Sequence, residues 1–424
     1  PFVMPSYHCW ETPFYGIGLK MYDALAGKAG LGATEFLGRA KTLECLPTVR
    51  PQGLKGSVKY WDGQFDDARL ALALARTAAR AGAIVLNYVE ATNLIHESGK
   101  VAGVVCRDAE SGQSMALRSR CVVNATGVWV DALREQDAQA TGRAVSALVA
   151  PSQGVHLVVD RDFLASDHAL MVPKTADGRV LFAVPWLGKV ILGTTDTPRH
   201  DLAREPTPFP DEVAFILNES ARYLRRPPLA ADVRSVWVGL RPLVKPQDEN
   251  GDNTKSLSRE HTVLASRSGL VTVTGGKWTT YRAMAEDVLQ KCVASGLLDE
   301  RKGGATNDLP LVGAPSGRAV HRMCEPQGWH SYGSDATFVR QLSGSASELD
   351  MGLTEAMVRF AVRNEYARTV EDVLARRWRA LFLDARRSQG MAARVAEIVG
   401  QETGRDPGQE AFEQLAQQYS TLPV

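Results

Sequence analysis

The chain has 424 residues, enough for two or three domains with ordinary hydrophobic cores. Its 49 basic and 48 acidic residues leave a formal charge of +1, so no overall field selects nucleic acid or an acidic substrate. Six cysteines without a CxxC spacing read as reduced thiols used for packing, the eight histidines show no metal-ligand spacing, and no run of about 18 apolar residues marks a membrane span.

Residues 13–29 carry Phe14, Ile17, Met21 and Leu25 on one side, with Lys20 and Lys28 elsewhere. This predicts an amphipathic helix, read as packed on its own domain in preference to lying on a membrane. A strand or bend over 59–65 precedes Asp66 and Asp67, which cap a strong helix over 68–81 that Gly82 ends. Short strands follow over 83–88, 91–97, 101–107 and 114–124. Ser98-Gly99-Lys100 and Ser111-Gly112-Gln113 join the last three into an antiparallel meander. That meander runs into Asn124-Ala125-Thr126-Gly127. Small residues at a strand end let a ligand approach the backbone, although packing alone also uses them.

From Pro151 to about Val273 the character changes to short alternating strands with one helix near 211–224, a largely antiparallel sheet. A polar stretch over 247–256 reads as a surface loop. The strand Val271-Thr272-Val273-Thr274 then passes through Gly275-Gly276-Lys277 into a helical pattern from Trp278. Such a corner turns bare N–H groups and a helix start toward whatever lies above it, which favours an anion; a tight connection without ligand reads equally well. Beyond Gly303-Gly304, helices are predicted over 335–342, 354–365, 369–383 and 390–403, with many arginines on a solvated face.

Two residues stand out chemically. His156 interrupts an apolar strand, where a satisfied structural histidine is the commoner reading; as a functional group it would be a general base titrating near neutrality. Arg241 ends an apolar strand and must be paired, by a structural carboxylate or by a substrate anion. Arg259, beside Glu260, stays ambiguous. There is no Walker loop, no Gly-x-Ser-x-Gly elbow and no Gly-x-Gly-x-x-Gly turn after a strand.

In order and spacing, several blocks resemble the FAD-dependent glycerol-3-phosphate dehydrogenases of the bacterial respiratory type. The blocks are Asp62 to Leu70, Asn124 to Val130, Gln153 to His156, Leu192 to Thr197, Gly239 to Leu243, Ser258 to His261 and Gly275 to Arg282. The resemblance covers essentially the whole chain, and its last block is highly specific. It implies an α/β plus α architecture: an incomplete Rossmann-like FAD domain interleaved with an antiparallel-sheet substrate domain of the D-amino-acid-oxidase type, and a helical C-terminal domain. The expected divisions are 1–150 for the FAD domain with its meander, 151–273 for the substrate sheet, 274–304 for the returning FAD-domain helix and 305–424 for the helices. The family opens with a glycine-rich pyrophosphate turn that would precede Pro1, so the expectation is that the natural polypeptide is longer and that an apolar face is left exposed.

The resemblance further implies oxidation of sn-glycerol 3-phosphate to dihydroxyacetone phosphate, with hydride passing from substrate C2 to flavin N5 and electrons going on to a quinone. His156, Arg241 and Lys277 would be catalytic, with His156 as base. Arg241, Arg259 and Lys277 would hold substrate, the two arginines on its phosphate. Lys277 would also favour negative charge at the flavin N1/C2 edge. Val89, Ala125, Thr126, Gly127, Trp129, Gly275, Gly276, Lys277, Thr279 and Thr280 would contact FAD. No metal and no nucleic acid are implied; a homodimer and a peripheral position on the inner face of the cell membrane are. Three alternatives stand beside this: an oxidase using O2 on the same substrate, an amine or amino-acid oxidase binding a carboxylate through Arg241, and a remnant without flavin.

Overall fold

Branched and aromatic residues at alternate positions form strand β1 (Phe2–Ser6), which leads into helix α1 (Glu11–Ala26), strand β2 (Glu35–Gly38), helix α2 (Arg39–Cys45) and strand β3 (Gly56–Tyr60). The computed structural model describes residues 1–27, 30–175, 178–245, 260–301, 303–315, 317 and 322–423. Helix α1 does not bury its apolar face: Phe14 is 65% exposed, Ile17 63%, Met21 63% and Leu25 87%. The helix does pack on its own domain, with buried Gly16 set against the Phe36 ring of β2, but not through the apolar face, because helical periodicity records that a face is apolar and not what covers it.

Asp66 caps helix α3 (Asp67–Arg80) as expected, its carboxylate accepting the Arg69 N–H at 3.0 Å. The stretch 83–88 is not a strand: among the described residues no neighbour pairs with it, and Ile84 is 88% exposed. Without a ladder to satisfy its N–H and C=O groups, an apolar run gains nothing by extending. Strands β4 (Val89–Glu97), β5 (Lys100–Asp108) and β6 (Ser114–Arg118) make the antiparallel meander. The last predicted strand divides, since β7 (Val122–Asn124) leaves for another sheet and leads into helix α4 (Val130–Ala140).

Strands β8 (Val149–Asp160), β9 (Ala169–Val172), β10 (Leu181–Trp186), β11 (Lys189–Gly193) and β12 (Thr197–Pro198), helix α5 (Pro210–Tyr223) and strand β13 (Ser235–Val244) follow. They build a nine-stranded sheet in the order β12-β8-β11-β10-β9-β1-β3-β2, with β13 on the other side of β8. Residues 2–60, grouped above with the FAD domain, therefore supply three strands of this sheet, and β1 enters it by a parallel pairing with β9. Val155, Leu157 and Val159 on β8 pack with Val190, Leu192 and Ile216 in its core. Strands β14 (His261–Ala265) and β15 (Leu270–Gly275) form a hairpin, and β15 runs parallel to β7 before helix α6 (Tyr281–Ala294). The loop expected over 247–256 lies outside the described residues.

The C-terminal region is helical, with α7 (Ala336–Gln341), α8 (Glu355–Asn364), α9 (Ala380–Leu383), α10 (Ala385–Thr403) and α11 (Gln409–Ser420) around a buried core that includes Phe360, Trp378 and Phe412. The single helix expected over 369–383 is broken. A wide helical turn over Asp372–Arg377 stops at Arg379, whose φ of 55° is left-handed. The half-buried side chain of Arg69 on α3 and the buried one of Glu365 after α8 stand 2.8 Å apart, a contact ion pair without hydrogen-bond alignment, and tie this region to the rest.

Candidate active site

Strands β8 and β13 make the floor. Their register sets Trp237 opposite His156 and Ser152 opposite Arg241, while β11 brings Gly193 to the other side of His156. Gly154 and His156 share one face of β8, and the Arg241 guanidinium lies over Gly154: a Cβ there would stand 2.2 Å from its Nη2. Period-two alternation thus brings the predicted base and the predicted phosphate ligand together.

Arg241 is held from the turn after β11. It donates from Nη1 to the Thr195 carbonyl at 3.1 Å and from Nη2 to Thr194 Oγ1 at 3.0 Å, with the Asp196 carboxylate 3.6 Å from Nη1. A structural carboxylate, one of the two expected ways of pairing this arginine, is therefore in place. Asp196 also accepts from Ser152 Oγ. Beneath the turn, buried Glu212 accepts from Thr195 Oγ1 at 2.8 Å, from Thr197 Oγ1 at 2.6 Å and from Gln153 Nε2. The sequence shows Gly193-Thr194-Thr195-Asp196 only as part of the block Leu192 to Thr197, and Asp196 and Glu212 were missed as the groups that order it. No local signal ties Glu212, on α5, to that turn.

The His156 ring stacks on Trp237, and its Nδ1 is buried with no hydrogen-bond partner among the described residues. Burial first, and the positive charge of Arg241 second, push the imidazole down to about 3. The expected titration near neutrality is corrected accordingly. His156 is a neutral imidazole across the whole physiological range.

The second half of the site is a corner at the ends of parallel β7 and β15. Asn124 Nδ2 donates to the Val130 carbonyl at 2.9 Å and its Oδ1 accepts from Thr126 Oγ1 at 2.8 Å, fixing the turn that carries Ala125, Thr126 and Gly127. Trp129 Nε1 donates to the Leu202 carbonyl at 3.1 Å. Gly275 and Gly276 have φ of 75° and 77°, and a Cβ on Gly275 would stand 2.7 Å from the Glu260 carbonyl oxygen, so both positions require glycine. Lys277 is extended and exposed, and among the described residues no carboxylate pairs with it. Thr279 is exposed, and Thr280 Oγ1 turns back onto the Lys277 carbonyl at 2.9 Å. Beside the corner opens a cavity of about 560 Å³ lined by Ala125, Gly276, Trp278, Tyr281 and Met284.

These parts meet at Gly275, whose added Cβ would stand 2.7 Å from Val244 Cγ2 at the end of the strand that bears Arg241. Val89 begins β4 in the meander sheet, away from the corner's own sheet. Arg259 lies outside the described residues. A bare backbone rim, an unpaired ammonium and apolar walls fit a flat aromatic ring with an electron-rich edge.

Comparison with known proteins agrees with that chemistry. Residues 15–282 match the family described as FAD dependent oxidoreductase, and the chain belongs to that family. Residues 304–410 match a second one, the C-terminal domain of alpha-glycerophosphate oxidase. The mitochondrial glycerol-3-phosphate dehydrogenase of Bos taurus is 35% identical over 448 residues, covering 97% of this chain and 60% of that protein. The Schizosaccharomyces pombe enzyme of the same name is 34% identical over 460 residues, covering 96% and 71%. The chain thus spans about 60% of the length of the mammalian relatives it matches. Among solved structures, the glycerol-3-phosphate dehydrogenase from Bacillus halodurans complexed with FAD superimposes with a TM-score of 0.74 at 26% identity, over 100% of this chain and 82% of that one.

Proposed function

We propose that the protein oxidises sn-glycerol 3-phosphate to dihydroxyacetone phosphate, using FAD as the first acceptor and a quinone as the next. The observation that carries this reading is one strand pair presenting a neutral imidazole and a guanidinium on the same face, beside a corner that fits a flavin ring. The relatives named above carry the substrate's name.

In this reading Arg241 takes the phosphate, with Asp196 and Thr194 behind it to hold the fork in place, and Arg259 adds a second cation. His156 removes the C2 hydroxyl proton at Nε2, since Nδ1 is sealed. FAD, when bound, supplies the two-electron acceptor for the hydrogen that leaves C2. An imidazole as acidic as this one is a weak base in the empty site. A bound phosphate offsets the Arg241 charge that helps to depress it, so substrate raises its proton affinity when the proton must move. Lys277 offers its ammonium to negative charge building at the ring edge. Backbone of Ala125, Thr126, Gly127, Gly275 and Gly276, with Trp129, Thr279 and Thr280 close by, lines the cofactor, and Val89 meets its adenine end.

The apolar face of α1 supports a peripheral position on the inner face of the cell membrane, where a lipid-dissolved quinone is found. Among the described residues no helix is long and apolar enough to cross a membrane. A homodimer completes this reading. The match of residues 304–410 favours one second reading, an oxidase that passes electrons to O2. Both are tested on the visible spectrum of the flavin-loaded protein. Bleaching by glycerol 3-phosphate but not by glycine, with return of colour on adding a quinone analogue, is expected. Stoichiometric peroxide without quinone would select the oxidase, and no bleaching by glycerol 3-phosphate would sink both.

A further inference from the structure

The His156 imidazole is held by an aromatic slot that reaches into the helical region. Its ring lies 4.2 Å from that of Trp237 with 22° between the planes, directly across the β8–β13 ladder. On the β11 side it meets Gly193, where a Cβ would come within 2.8 Å of His156 Cδ2. Trp237 in turn receives the edge of Phe382 from α9, at 5.4 Å and 70°. That short helix is fastened to β13 by Ser235 Oγ, which donates to the Leu381 carbonyl at 3.0 Å. Phe382 is itself backed by Tyr419 at 5.5 Å and covered by the Arg379 guanidinium at 4.3 Å.

Two polar atoms in this stack, His156 Nδ1 and Trp237 Nε1, are buried without a hydrogen-bond partner among the described residues. An orphaned pair of this kind is costly and persists where the surroundings impose it. Among the described residues nothing polar holds Nδ1 to select the orientation of the imidazole, so flat packing has to do so. The charged groups on the flanking elements are Arg241 on β13, Asp196 after β11, Arg379 at the start of α9, and Lys189, Asp160 and Asp384 at the ends of β11, β8 and α9, where Lys189 pairs with both carboxylates. Asp196 stands by Arg241, and Arg379 is turned onto Phe382 and Asp67.

We propose that Trp237 is a positioning residue for His156: its indole, braced by Phe382 of the helical region, fixes the imidazole plane and keeps Nδ1 dry, so that Nε2 alone is offered to the substrate hydroxyl. The inference rests on His156 being the base. It gives the helical region a role at the reacting centre that involves no contact with substrate, and it predicts that a wetter ring would regain an ordinary titration.

The test uses the flavin-loaded protein and three variants, Trp237→Leu, Trp237→Phe and Phe382→Leu. Two readouts are taken: flavin bleaching by glycerol 3-phosphate as a function of pH, and an NMR titration of His156 in isotopically labelled protein. Trp237→Leu should slow bleaching by about 100-fold with little change in the substrate concentration for half-maximal rate. It should also move the His156 titration back toward the ordinary value of 6.5 and create an acid limb in the rate profile. Trp237→Phe keeps the flat face and should stay near the native protein. Phe382→Leu, which touches neither His156 nor substrate, should reproduce the leucine pattern at about a tenth of its size, and it carries the test if Trp237→Leu fails to fold. An unchanged His156 titration in Phe382→Leu and in any folded Trp237→Leu would overturn the proposal. Undiminished bleaching in His156→Gln, with the titration still moved by Trp237→Leu, would instead remove His156 as base and leave its packing as described.

Discussion

The two halves of the site are finished to different degrees. On the β8–β13 side the polar groups around Arg241 are already engaged: Arg241 has Thr194, Thr195 and Asp196, Asp196 has Ser152, and Glu212 has Thr195, Thr197 and Gln153. At the Gly275–Thr280 corner Lys277 is exposed and has no carboxylate partner among the described residues, and the neighbouring walls are apolar. In the proposed reading the sheet is set to place a phosphate-bearing substrate in advance, whereas the corner gains its partner only when a ring lies against it.

If this contrast is right, damage to the first half should cost more than damage to the second. Arg241→Ala should have the largest effect, because it removes the proposed phosphate ligand and takes the guanidinium away from Asp196 as well. A loss of about 1000-fold in the rate of flavin bleaching per unit substrate concentration is expected, and less than about tenfold would break the comparison. His156→Gln comes next, with a fall of about 100-fold in the bleaching rate at saturating substrate. Lys277→Ala should cost about tenfold, measured as weaker FAD binding by fluorescence titration together with slower bleaching.

The depressed imidazole adds a dependence on acid. A histidine held well below its ordinary value binds fewer protons folded than unfolded. Its contribution to stability is therefore complete above the unfolded value of 6.5 and is lost as pH falls from there toward about 3. Native protein should lose stability over that window with a slope of at most about 1.4 kcal/mol per pH unit from this group, and His156→Gln should flatten it in chemical denaturation. The smallest effect on stability belongs to α1. Phe14→Ser and Leu25→Ser should change it by less than about 0.5 kcal/mol, since neither side chain is buried, while association with anionic vesicles falls sharply. A loss of about 3 kcal/mol would show that the face is packed after all.

Local signals carried much of this. The Asp66 cap, the alternation along β8 and the strand–glycine–helix passage at 271–282 are each written in neighbouring residues, and each formed as read. What escaped the sequence depends on residues far away along the chain. Ile84 sits in an apolar run but finds no strand to pair with, and β1 joins β9 across more than a hundred residues. The same holds for His156, whose acidity comes from a burial that no strand pattern announces and, second, from Arg241. Glu212 reaches the Arg241 turn only because α5 packs on the sheet.

The pairing of Arg69 with buried Glu365 bears on how the molecule can be taken apart. To a protein engineer the helices after residue 304 look like a detachable module, with a family match of their own. Removing the Glu365 carboxylate alone, with the helices left in place, would leave the Arg69 guanidinium against Tyr332 without its partner, a penalty of about 3–5 kcal/mol. A cut after 304 takes away the cover of Arg69 along with its partner, and it bares Trp186 and Leu187, which share the core of the helices, so the apolar seam and not the ion pair is what resists trimming.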